Sequence, residues 1–140
     1  MLYLLDANVI ITAKDFYYAI DQVPEFWEWL LHQGREGNLK MPLETLEEVS
    51  AGADKEHPFY AWRKDKATTE ALLFPEEVDL VTVQRVLSEG YAPDLRDDEI
   101  ADIGRDPFLV AYAIGRPDRT VVTTEVSRPT ATRRNRKLPD

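Results

Sequence analysis

Two short apolar runs, "LYLL" at residues 2–5 and "TVVTT" at 120–124, constrain this chain more than any other feature. Each is the length of one strand and too short for a globular helix. The first is apolar throughout, the pattern of a strand buried on both faces of a parallel sheet. Parallel strands need long crossovers, and almost the whole chain lies between these two. "EFWEWLLHQGRE" (25–36) reads as a helix with Pro24 at its start and Gly37 at its end. "NLKMP" fits a short strand, and "LETLEEVSAG" a helix with Pro42 in its first turn and Gly52 closing it. From Asp54 to about Leu73 the pattern is looser and helical in part, with Trp62 the best anchor. "PEEVDLVTVQRVLSEG" (75–90) predicts a helix with Val78, Val81, Val83, Val86 and Leu87 broadly on one side and Gly90 at its end. An acidic connection follows, with a helical turn at "DDEIADIG". "DPFLVAYAIG" (106–115) then predicts a buried helix, with Asp106 as N-cap, Pro107 at the first position and Gly115 closing it.

This order predicts one α/β domain over residues 1–140, with a mostly parallel sheet flanked by helices. The chain has 140 residues, 44% of them hydrophobic, enough for a real core. Three strands make a thin sheet, so a further strand and helix are expected to be lacking at its end. The polar segment 128–140 reads as a basic tail.

The composition excludes several chemistries. There is no cysteine, so disulfides and thiolate metal sites are out, which fits a reducing compartment. The two histidines, His32 and His57, lie far apart in sequence, which leaves oxygen as the metal donor and argues against zinc. No apolar run approaches the roughly 18 residues of a membrane span, and no basic leader precedes an apolar segment. A cytoplasmic protein without membrane association is the expectation. The net charge is −9, unevenly spread: residues 1–127 carry −13 and residues 128–140 carry +4. Such a body repels nucleic acid unless a metal or a local basic patch intervenes.

Asp6 follows the first strand directly, and burying an unpaired carboxylate costs several kcal/mol. In open parallel sheets ligands bind at the carboxyl ends of the strands. Asp6 after "LYLL" and Glu125 after "TVVTT" belong on that edge; Asp106 and Glu48 lie on segments able to reach it. Two carboxylates about 4 Å apart repel by about 4 kcal/mol at an effective dielectric of 20. A hard cation such as Mg²⁺ or Mn²⁺ relieves that repulsion and suits phosphoester chemistry.

"LLDANVII", "LEEV", "DPFLVAYA" and "VVTTE", in this order, resemble the PIN-domain ribonucleases, in particular VapC-type toxins. The resemblance implies a PIN-like three-layer fold and cleavage of single-stranded RNA at an acidic Mg²⁺ or Mn²⁺ site. It implies metal-binding and catalytic roles for Asp6, Glu48, Asp106 and Glu125, with Asn8 and Thr123 supporting them. Glu44 and Glu47 compete with Glu48 for its role. The family more often has Asp where this chain has Glu125. A cognate antitoxin is an implied partner. Exposed aromatics in "DFYYAI" and "PEFWEWLL" point to a protein interface with it or with a second copy.

Other readings stand beside these. Asp6 and Asp106 are both compatible with helix capping, and Glu48 and Glu125 with ordinary solvated acids. Asp97, Asp98, Glu99 and Asp102 read as a solvated face that favours a helix start. Trp27, Trp29 and Trp62 read as packing residues. "RRNRK" (133–137) is either a disordered solubilising tail or a contact for RNA phosphate or antitoxin. A PIN-shaped binding module without catalysis is the alternative function. A haloacid-dehalogenase-type phosphohydrolase fits less well, because that chemistry wants a second acid where Asn8 stands.

Overall fold

The computed structural model describes residues 1–51 and 54–140. Strand β1 (Leu2–Leu5) leads into α1 (Ala7–Thr12), which widens into a π turn over Ala13–Tyr17. Then come α2 (Pro24–Arg35), β2 (Leu39–Lys40), α3 (Leu43–Ser50), α4 (Pro58–Lys64) and α5 (Lys66–Leu72). Helix α6 (Leu80–Arg85) widens into a second π turn, Val86–Tyr91, before α7 (Asp97–Ile103), α8 (Asp106–Ala113) and β3 (Arg119–Val122).

The three strands form a parallel sheet in the order β2-β1-β3. β1 is central because it pairs with both others, Leu2 to Leu5 against Arg119 to Val122 in register. Beyond β2, Met41 and Leu73 form one further parallel bridge. Its bonds run from Met41 N–H to Leu72 O (2.7 Å) and from Phe74 N–H to Met41 O (2.8 Å).

Helices cover both faces, and the two-residue period of β1 divides the core accordingly. Leu5 faces Ile10, Trp27, Leu30, Leu46, Phe59 and Leu72 on one side. Leu4 faces Phe74, Leu109 and Tyr112 on the other. Trp27 anchors the larger cluster: it is buried, meets Phe59 and Trp62 edge-on, and donates its indole N–H to Tyr18 O at 2.7 Å. Gly34 lets α2 approach α5, because a Cβ there would stand 2.5 Å from Ala71 O.

Several expectations need correcting. β1 is not buried on both faces throughout, since Tyr3 is exposed. Pro42 precedes α3 as its N-cap instead of entering its first turn; Gly52, expected to close that helix, lies outside the described residues. The segment 54–73 is helical in part as expected, with two helices each capped by a side chain. His57 Nδ1 accepts from Phe59 N–H (3.1 Å) and Asp65 Oδ1 from Ala67 N–H (2.8 Å).

The predicted helix over 75–90 begins only at Leu80. Glu76 is held away from helical conformation by tertiary bonds: its carboxylate pairs with Arg119 at 2.6 Å and its carbonyl accepts from Tyr112 OH at 3.3 Å. Asp79 then caps the helix, leaving Val81 exposed while Val83 and Val86 are buried. The chain turns out of helix after Tyr91, with Gly90 inside the last turn. Trp29 is exposed, as are Phe16 and Tyr17, whereas Trp27 is core.

The basic tail is not a loose appendage. Arg133 donates to both Glu99 oxygens (2.8 and 2.7 Å) and to Asp94 (2.7 Å), and Arg134 reaches Asp102 (2.8 Å). Glu99 is therefore buried, contrary to its reading as part of a solvated face. Arg133 adopts φ +54, a left-handed conformation that a non-glycine residue holds only where its surroundings over-determine it. Leu138 packs against the Leu4 cluster. Among the described residues, no helix is long and apolar enough to cross a membrane.

Candidate acidic site at the sheet edge

The strand pairing runs right up to the first acid. Asp6 N–H donates to Val122 O at 2.9 Å, and its backbone is still extended as α1 begins. That geometry delivers a carboxylate, 5% exposed, to the carboxyl end of the sheet. Because the chain moves from β1 to β2 on one side and later to β3 on the other, β1 and β3 flank the point where strand order reverses. Crevices form there in open sheets.

Thr123, the residue after β3, organises this end. Its hydroxyl donates to Asp6 Oδ2 at 2.8 Å and accepts from Glu125 N–H at 3.0 Å and from Asn8 Nδ2 at 3.3 Å. Asn8 Oδ1 accepts from Thr124 N–H at 3.1 Å. Asn8 and Thr123 thus fix the orientation of Asp6 and the path of the chain to Glu125.

Asp6, Glu48, Asp106 and Glu125 line one cavity of about 340 Å³. Glu48 comes from the last turns of α3. Glu44 and Glu47 face elsewhere: Glu44 lies 3.3 Å from Tyr112 OH, which shares its one proton between Glu44 and the Glu76 carbonyl, and Glu47 pairs with Arg105 at 2.9 Å. Arg105 also donates to Glu44 O at 2.8 Å, which ties the start of α8 to α3 and keeps Glu48 and Asp106 on one rim. Asp106 is not the N-cap of α8 as the sequence predicted; Arg105 holds that position, and Asp106 and Pro107 are the first two helical residues. Gly104, at φ +68, makes the turn between α7 and α8 that allows this placement. Freed from capping, the Asp106 carboxyl faces the cavity.

Electrostatics mark these acids out. Burial raises the Asp106 carboxyl to about 7, and the charges of Asp6, Glu125 and Glu48 add to the effect. Burial also raises Asp6, partly offset by the Thr123 hydrogen bond. Glu48 is raised by burial and by Asp6, against the opposing charge of Arg105. Tyr91, on the same wall, is raised by burial and by Asp106. Glu125 is held by the tail: Oε2 accepts from Leu138 N–H at 3.0 Å, and Lys137 Nζ stands 3.4 Å from Oε1.

The donors are hard oxygens that repel one another, the kind of set that suits Mg²⁺ or Mn²⁺. Among the described residues, no three His, Cys, Asp or Glu side chains are drawn to the spacing a bound ion imposes. Ligation would require the carboxylates lining the cavity to draw closer together.

Sequence reasoning missed Tyr91 and Arg105, which carry no motif of their own. Arg134, Arg136 and Lys137 also line the cavity. Their signal was present in the pairing of a basic run, 133–137, with an acidic one, 94–102.

A parallel α/β domain with an acidic crevice at its strand-order reversal is the class that fold and geometry define. The chain belongs to the family described as a domain of unknown function, DUF4411, whose model matches residues 3–140. No curated protein and no solved structure matches it.

Proposed function

We propose that this protein is a metal-dependent endoribonuclease of the PIN type that cleaves single-stranded RNA, acting as the toxin of a toxin–antitoxin pair. The observation that carries the reading is the meeting of Asp6, Glu48, Asp106 and Glu125, from four distant segments, around one cavity. A central β1 ending in Asp6, with helices on both sheet faces, supports the PIN-like part of the reading.

Mg²⁺ or Mn²⁺ held by these carboxylates would supply Lewis-acid stabilisation at phosphorus oxygens and a more acidic water. The chain's own residues do the rest. Thr123 and Asn8 keep Asp6 in one orientation, the role of an outer-shell partner. Arg105 locks α3 to α8 and so sets the spacing of Glu48 and Asp106. Asp106 holds its proton to about pH 7 and must release it before its oxygens can ligate. The exposed Phe16, Tyr17 and Trp29 supply apolar surface for an antitoxin or a second copy.

The direct test is incubation with total RNA, with and without Mg²⁺, comparing the natural chain with Asp6→Asn. Cleavage that needs Mg²⁺ and disappears in the variant supports the reading; equal cleavage by both sinks it. A non-catalytic binding module is the second reading, favoured by the engagement of Glu125 with Lys137 and Leu138. Calorimetric titration with Mn²⁺ separates the two, since a dead site takes up no metal.

A further inference from the structure

We propose that the C-terminal segment builds the phosphate-binding wall of this site, with Arg136 and Lys137 holding the backbone of a single-stranded nucleic acid opposite the carboxylates. The proposal rests on the nuclease reading and names how its substrate is held.

The charge distribution poses the problem that this wall solves. A body carrying −13 over residues 1–127 repels a polyphosphate, and the acidic cavity repels it most. The compensating +4 lies on residues 128–140. The fold brings that charge to the cavity, where Arg134, Arg136 and Lys137 form part of the lining. The three cations are not equivalent. Arg134 is neutralised by Asp98 and Asp102. Arg136 makes no side-chain ion pair within 4 Å among the described residues; its guanidinium donates to the main-chain oxygen of Asp140, and its charge also helps to lower the Asp140 carboxyl. Its remaining N–H groups are available for the planar, two-point recognition of a phosphate that arginine favours. Lys137 meets Glu125 at 3.4 Å, a loose pair on the boundary between the acidic and basic halves.

The wall is held rigidly enough to work. Arg133 clips the segment to α7 through Glu99 and Asp94, and Leu138 is pinned by its packing and by its N–H bond to Glu125. A loose tail would lose most of its binding energy to ordering; this one is ordered beforehand.

The test is fluorescence anisotropy with a labelled single-stranded RNA of mixed sequence. It uses the full chain carrying Asp6→Asn, with Mg²⁺ present, across a range of salt. Arg136→Gln and Lys137→Gln should each weaken binding several-fold and lower the slope of log K against log salt by about 0.7. Arg136→Lys should restore most of that slope, which a merely misfolded variant could not do. Arg128→Gln, on the same segment but outside the cavity lining, should leave the slope nearly unchanged. Three results overturn the proposal: no RNA binding, unchanged slopes in both wall variants, or an equal loss in Arg128→Gln. Polyglutamate competing as well as RNA would reassign the wall to an acidic protein and also overturn it. If the natural chain binds RNA through this wall but never cuts it, the nuclease reading fails and the wall stands.

Discussion

On α7, Asp98, Glu99 and Asp102 each have an arginine within hydrogen-bond distance, whereas at the sheet edge Asp6 and Asp106 have no ion-pair partner among the described residues. The two groups come from the same acidic sequence and lie on walls of neighbouring structure, yet their electrostatics run in opposite directions. Hydrogen bonds from Arg133 hold the Glu99 carboxyl down at about 2, while burial lifts Asp106 to about 7. Paired acids fasten the tail to the body and favour the folded state. Unpaired, desolvated acids oppose folding and are tolerated where a ligand repays the cost. That contrast, more than the number of carboxylates, makes the sheet edge the candidate functional place.

The largest effect should come from the unpaired side. Asp6→Asn is expected to cut RNA cleavage by about 100-fold or more while leaving the circular dichroism spectrum unchanged. On the paired side the expectation reverses. Glu99→Gln should lower the thermal midpoint by several degrees, because the Arg133 clasp loses its charge partner, and cleavage should fall only as the tail loosens. If Glu99→Gln abolished cleavage without loss of stability, the division between fastening acids and working acids would collapse.

The pH dependence of stability distinguishes the groups by sign. As pH rises, Asp106 keeps its proton to about 7 when folded but loses it near 3.8 when unfolded. Without divalent metal, its contribution therefore makes stability fall between about pH 4 and 7 and stay flat above. Glu99 is the opposite case: its stabilisation is present above its ordinary 4.5 and is lost as pH falls toward about 2. Urea midpoints measured in EDTA should thus be lower at about pH 8 than at about pH 5, and Asp106→Asn should flatten that difference. Mn²⁺ should raise the midpoint more at the higher pH, where the carboxylates are charged. The smallest effect is expected for Thr123→Val, which removes one hydrogen bond to Asp6; a fall of about tenfold in cleavage, with the fold intact, fits a supporting role.

Some of this architecture was legible in the sequence. The apolar run 2–5 gives β1, Pro24 and Gly37 bracket α2, and the Asp-Pro at 106–107 starts α8. In each, local steric preference and burial agree. The failures fall where distant residues intervene. The helix predicted from residue 75 starts at Leu80 because Arg119 and Tyr112 take hold of Glu76. The sequence left 133–137 open between a disordered tail and a contact, because its ordering comes from acids 34 and 39 residues earlier, Glu99 and Asp94.

The sequence alone determined that strands deliver Asp6 and Glu125 toward one sheet edge, since a parallel α/β order puts strand carboxyl ends together. It could not choose among Glu44, Glu47 and Glu48, because neighbours on one helix share composition and differ only in direction. Tertiary packing made that choice by spending Glu47 on Arg105 and Glu44 on Tyr112, which leaves Glu48 to the cavity. It also decided that Asp106 is free of capping duty and that a basic tail stands over an acidic site. Charge pairing between distant segments is a property of the folded surface, and no local pattern encodes it.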